Sequence, residues 1–170
     1  MALVIDATAG GTSSNSYCTL AEAETYFESR LHKSTWDAAT DETKNAALVW
    51  ARRLLDEQIQ WVGTKYESTQ ALRWPRYSVV DRDGDLIDSG TVPQFLKDAQ
   101  AEFAAFLIAK DRTTEPSTFG FKKIGIEKED ILLEIDTANQ RKPVIPNIVW
   151  DMISYYGVKA SAVPRILERV

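Results

Sequence analysis

Two residue types that carry much protein chemistry are nearly absent: there is one cysteine, Cys18, and one histidine, His32, in 170 residues. A single thiol excludes an internal disulfide, and it cannot alone build a structural zinc site, which takes four Cys or His ligands. Cys18 and His32 flank a predicted helix, and no Gly-rich elbow stands beside the cysteine, so a buried thiol and a surface imidazole are the simpler reading than a nucleophile pair. The eight glycines never fall into GxGxxG or GxxxxGK, so no phosphate-cradling loop is present. No apolar run approaches the roughly 18 residues of a membrane span, which points to a soluble chain without membrane contact. The start, "MALVIDATAGGTSSNS", has neither a basic region nor an apolar stretch of signal length, so no export signal is read and a cytoplasm is the expected place of synthesis and residence.

Clustered positive charge is also missing. The net charge is −5; residues 1–50 carry three basic and seven acidic groups, and residues 121–170 carry eight and seven. A broad DNA-binding face needs clustered Lys and Arg to neutralise phosphates, and this balance excludes one while leaving room for a narrow basic patch. With 44% hydrophobic and 26% charged residues the composition is that of an ordinary globular chain, long enough for one domain over 1–170.

Periodicity supplies four helices and a hairpin. "GGTSSNSY" reads as the end of a flexible lead-in over residues 1–17. "TLAE" follows with a capping-box pattern, Thr19 accepting from a free helix N–H and Glu22 reaching back. A first helix starts near Leu20, carries Leu20, Ala23, Phe27 and Leu31 on its core side, and ends near Leu31 or His32. "STWDAAT" is a short helical turn or loop anchored by Trp36. A second helix from Asp41 spaces Ala47, Trp50, Ala51, Leu54, Leu55 and Ile59 toward the core, with Arg52, Arg53, Asp56 and Glu57 on the other face and Gly63 closing it.

From Tyr66 to Val92 turn formers dominate, giving a long connection with a hairpin. A third helix opens at Pro93 and uses Leu96, Ala99, Phe103, Phe106 and Leu107. Residues 119–136 alternate apolar and polar residues in two runs, Ile124 and Ile126, then Ile131, Leu133 and Ile135, which predicts a β-hairpin arm. "VIPNIVWDMISYYG" gives a fourth helix opened by Pro146, with Ile148, Val149, Met152, Ile153 and Tyr156 on its apolar side and Gly157 at its end. The tail, residues 157–170, spaces Val163, Ile166, Leu167 and Val170 on one face and is too short to be a stable helix alone.

Three stretches invite a chemical reading. "DRDGD", Asp81 to Asp85, fits a calcium loop at its first three acids, but Gly84 falls at position 4 and Val92 at position 12, so the match fails where specificity resides. An Asp-Gly turn at a hairpin tip, with solvated acids, is the expectation, and no metal or other cofactor is implied. Asp88 and Ser89 stand close enough to the third helix to favour its N-terminus. Arg73, Trp74 and Arg76 would suit a single-strand stacking platform, the simpler alternative being a loop anchored to the core by Trp74. The acids Glu127 to Asp136 are most simply the solvent face of the hairpin, and no polar constellation asks to be catalytic, so no enzyme is expected.

The ordered set "SNSYCTLAEAETYFESRLHKSTWDAATDETKNAALVWARRLLD", "LRWPR", "DRDG" and "VPQFLKDAQAEFAAFLIA" resembles a family of tailed-phage proteins often labelled DnaT-like ssDNA-binding, which look like head–tail adaptors. The resemblance is close over residues 13–110 and looser through "KKIGIE" and "IPNIVWDMIS". It implies a mainly α fold, a small bundle of about four helices with a β-hairpin or extended arm and a C-terminal tail. It also implies a ring of about twelve copies beneath the portal in the neck of the virion. The implied partners are the portal protein, neighbouring copies, the next neck or tail protein and the double-stranded DNA passing through the channel. On this reading Val163, Pro164, Arg165, Ile166, Leu167 and Val170 meet the portal, or fold back onto the same subunit. Ile124, Ile126, Ile131, Leu133 and Ile135 meet the neighbouring adaptor. The family label supplies the other reading, a replication accessory protein that binds single-stranded DNA through Arg73, Trp74 and Arg76.

Overall fold

The computed structural model describes residues 3–114, 121–127, 130–135 and 143–160, the two middle stretches by their backbone pairing. Five α-helices and six short strands follow in chain order. They are α1 Leu20–Glu28, α2 Ser34–Asp37, α3 Asp41–Gln58, β1 Ile59–Trp61, β2 Thr64–Lys65, β3 Arg76–Tyr77, α4 Gln94–Ala109, β4 Phe121–Glu127, β5 Asp130–Ile135, α5 Asn147–Ile153 and β6 Gly157–Lys159. The strands form three separate two-stranded antiparallel ladders, β1 with β6, β2 with β3 and β4 with β5. The fold is thus mixed, mostly helical with a small β component.

Two compact units emerge, one of residues 1–110 and 145–170, the other of 111–144. In the first, α3 and α4 form the central pair and α1, α2 and α5 pack on α4. Its core holds Phe27, Trp36, Leu48, Leu55, Leu96, Phe103, Val149 and Ile153, all with almost no exposed surface. Phe27 and Trp36 stack with centroids 4.4 Å apart. In the second unit β4 pairs with β5 so that Ile124 lies opposite Leu133 and Ile126 opposite Ile131, with a register shift between Phe121 and Lys123. Within the stretch expected as an arm, 119–136, the chain thus holds an antiparallel ladder of 121–127 with 130–135. Arg112 ties the two ends of this unit, donating to Val144 O at 2.8 Å and Pro143 O at 2.6 Å.

Local signals placed the helix starts. Thr19 and Glu22 make both halves of the capping box on α1, and the Thr40 side chain accepts from Thr43 N to open α3. The helix ends differ from expectation. α1 stops at Glu28, where Arg30 N donates to Phe27 O in a tightened last turn, and Leu31 is left 90% exposed beyond it. α3 ends at Gln58 because Ile59 turns extended and pairs with Lys159 of β6, which no local pattern announces. Gly63 does not cap α3. It sits at φ +70° in the β1–β2 turn, where an added Cβ would strike the Tyr77 carbonyl oxygen. Gly157 likewise opens β6 instead of ending a helix, the chain passing from α5 through a 3₁₀ turn, Ser154–Tyr156, into that strand.

The lead-in over residues 1–17 also differs, since from Val4 onward it is stitched to itself and to the body. Asn15 accepts from Asp6 N and donates to Val4 O, Ser14 donates to Thr8 O, and Ala71 N donates to Gly11 O at 3.0 Å. Ser14, Ser16 and Tyr17 are buried. Small polar side chains that look like linker in sequence here satisfy the backbone of a compact loop. The tail residues Val163, Pro164, Arg165, Ile166, Leu167 and Val170 lie outside the described residues.

Candidate functional site

The segment from β1 to β3 positions the residues expected to meet nucleic acid, and it turns two of the three inward. Trp74 is 1% exposed. Its ring meets Trp61 and Phe95 edge-on, each with centroids 5.8 Å apart, and Phe95 stacks in turn on Tyr156 at 3.9 Å. The Trp74–Pro75 peptide is cis. Arg76 is buried as well, and its guanidinium donates to Val62 O at 2.6 Å, Gly63 O at 2.6 Å and Arg73 O at 3.0 Å. Burial lowers its pKa from the ordinary guanidinium value, the cost of holding a cation away from water. A base cannot stack on Trp74, and a phosphate cannot reach Arg76. The platform is therefore corrected to a core element: one large ring seals the loop, and one cation binds the carbonyls of the turns beside the short strands, with Trp61 O as a fourth, longer acceptor at 3.4 Å.

Arg73 alone of the three faces solvent, and it joins another set of residues. Arg52, Arg53, Lys65 and Arg73, with Asp56 and Glu57, line an open groove of about 610 Å³ between α3 and the 65–73 loop. Four cations against two carboxylates make it locally positive in a molecule of net charge −5. Asp56 is partly neutralised from below. The Tyr17 hydroxyl donates to Asp56 Oδ1, Arg73 N donates to the Tyr17 hydroxyl at 3.2 Å, and Arg52 lies 3.9 Å from Asp56 Oδ2. Burial raises the Asp56 pKa above the ordinary 3.8, with the Tyr17 hydroxyl pulling the other way. Arg52 also donates to Asn15 O and Lys65 to Gln70 O. Arg53 rests over the Trp50 ring at 5.3 Å, and Trp50, expected in the core stripe, is 38% exposed because Leu48 takes that place.

A smaller recess of about 150 Å³ lies between α1–α2 and α4, floored by Phe27, Trp36 and Phe106 and rimmed by Arg30 and His32. Its charge is spent internally: Arg30 makes a two-pronged pair with Glu102 at 2.8 and 3.0 Å, and the Tyr26 hydroxyl donates to Glu102 at 3.0 Å. Cys18 is buried elsewhere, and its thiol pKa is pushed up to about 12 by burial, which keeps it protonated and unreactive. It makes no pair with His32.

"DRDGD" is a hairpin tip. Asp81 Oδ1 accepts from Asp83 N and Asp85 N, both at 2.9 Å, Val80 bridges Leu86, and Gly84 takes φ +94°. Among the described residues no group of three or more His, Cys, Asp or Glu is arranged to hold a metal ion, and no helix is long and apolar enough to cross a membrane. The five hydrophobics expected at the adaptor contact lie on the β4–β5 hairpin.

A family model described as "Putative DnaT-like ssDNA binding protein" matches residues 1–157. The chain belongs to this family. The DnaT-like match spans the whole helical body, the hairpin and α5, so it covers both the groove and the acidic tip. No curated protein and no solved structure matches the chain. Sequence reasoning missed the groove because it treated Arg52, Arg53, Asp56 and Glu57 as a solvated helix face. The signal available was Arg73, which is exposed between two buried residues and brings its charge to that face.

Proposed function

We propose that this DnaT-like chain is a non-enzymatic assembly protein, a head–tail adaptor that joins the portal of a tailed-phage particle to the next neck or tail protein. The observation that carries the reading is the β4–β5 hairpin. It is a two-stranded ladder grouped apart from the helical body, and a two-stranded hairpin is marginal without a surface to lie on. Edge pairing with another subunit supplies such a surface, and a contact repeated head to tail closes a ring. The burial of Trp74 and Arg76 removes the one stacking platform the sequence offered to single-stranded DNA. Double-stranded DNA would then pass through the assembled channel without being gripped. The protein would sit in the host cytoplasm during assembly and in the virion neck afterwards.

A second reading, a single-strand DNA binder, is favoured by the family description, which names that activity and no adaptor role. Its site would be the groove of Arg52, Arg53, Lys65 and Arg73, with Trp50 beside it, and not the Trp74 loop. Mixing the purified protein with the portal, and separately with labelled single-stranded DNA, then following native mass and electron microscopy, separates the two. Decorated portals without DNA binding support the adaptor. Salt-sensitive oligonucleotide binding without portal binding overturns it in favour of the second reading.

A further inference from the structure

The helical body carries an exposed positive groove and an exposed negative tip, on different elements and with no ion pair between them among the described residues. The tip is held in one shape. Beyond the two bonds to Asp81 Oδ1, Asp81 N donates to Asp85 O at 2.8 Å and Ile87 N to Val79 O at 2.9 Å. All of these bonds use Asp81 or main-chain atoms. Among the described residues the carboxylates of Asp83 and Asp85 have neither a hydrogen bond nor an ion pair, and both residues are exposed, beside a Leu86 that is 76% exposed.

In the groove two of the matching groups, Arg53 and Arg73, keep free donors. Among the described residues Arg73 makes no side-chain hydrogen bond or ion pair, though its charge acts on the nearby Asp56 carboxylate, and Arg53 has only the Trp50 ring beneath it. A guanidinium presents five donors in a fixed fork that suits a carboxylate, and two of them stand on one surface with an exposed tryptophan.

We infer that the tip, Asp83–Leu86, of one copy docks into the Arg53–Arg73 groove of a second copy, its acids on the two arginines and Leu86 against Trp50. This contact rests on the adaptor reading and gives it a second interface besides the hairpin. The fit has two sources. Charge is complementary within a single sequence, and the tip already has its bound shape, so little ordering is lost on docking. The contact is heterologous. A copy that inserts its tip keeps its own groove free for the next, so the arrangement propagates and closes when its rotation divides a full turn. Exposed ion pairs are individually weak, so the free protein associates weakly and strongly only when held in an array.

The test is sedimentation equilibrium of the full chain over a range of concentrations at low and high salt. The wild type should gain mass with concentration and lose it in high salt. A groove variant, R53E/R73Q, and a tip variant, D83K/D85K, should each associate about tenfold more weakly. The two mixed should associate more strongly than either alone, because the reversed groove then meets the reversed tip. Circular dichroism checks that both variants keep the fold. A wild type that stays monomeric throughout, or variants that associate as the wild type does, overturns the contact. So does loss of oligonucleotide binding in R53E/R73Q with self-association unchanged, which would mark the groove as a nucleic-acid site. Portal decoration is scored separately. Self-association through the tip without decoration removes the adaptor reading and leaves this contact standing, and equal decoration by wild type and both variants does the reverse.

Discussion

Arg76 holds four main-chain carbonyls at the β1–β3 corner with one side chain, those of Trp61, Val62, Gly63 and Arg73. Arg76→Met keeps the volume and strips the donors, so the variant should lose about 3 kcal/mol or more in urea unfolding. A DNA-contact role would instead leave stability unchanged. Asp56 acts with the opposite sign. Its carboxyl holds a proton more tightly in the folded chain than in the unfolded one, since burial raises its pKa above 3.8. The stability tied to the protonated form is complete below 3.8 and fades as pH rises through the folded value. Asp56→Asn should therefore match the wild type in acid and gain on it progressively toward neutral pH, read as urea midpoints across a pH series. Gln100 completes this scale. It is fully buried and fully paired, accepting from Tyr17 N at 2.8 Å and donating to Ser16 Oγ at 2.7 Å and Leu48 O at 2.9 Å.

Among the elements, what the sequence disclosed follows the reach of each signal. The α1 capping box and the α4 stripe of Leu96, Ala99 and Phe103 are set by neighbours within a turn or two, and both were legible. β1 and β6 were not, because three-residue strands carry no periodicity and their partners lie in distant parts of the chain. The same holds for Gln100 and Glu102, polar residues in an apolar helix whose partners come from the 16–17 loop, α1 and Arg30. Burial of Trp74 was one of two readings, and only the fold separated them. The β1–β6 ladder yields an element-scale prediction. A Cβ at Gly157 would stand 2.6 Å from Ile59 Cγ2 and 3.0 Å from Gln60 O, so Gly157→Ala should cost about 1–3 kcal/mol through overpacking, measured by thermal or urea unfolding.

For the whole molecule, the division into a helical body and a hairpin unit would, on the proposed adaptor reading, separate stability from assembly. The body has its own aromatic and aliphatic core, and residues 111–144 form a unit of their own. Replacing 111–144 by a short Gly-Ser linker should preserve the near-UV circular dichroism of the buried tryptophans and a cooperative unfolding transition, while abolishing incorporation into portal-containing particles. A variant that fails to fold would place the hairpin in the stability of the body and contradict the proposed role of the arm.

The Gln100 clamp has a kinetic consequence. The Tyr17 amide belongs to a loop, yet its acceptor is a side chain from the middle of α4 in the interior. Its hydrogen can exchange with deuterated solvent only when the loop and α4 part, so it should exchange at the slow rate of the helix interior and not at the rate of its loop neighbours. That single proton makes the opening of the body visible in real time, and a partner that grips the body would show itself by slowing the proton's exchange further.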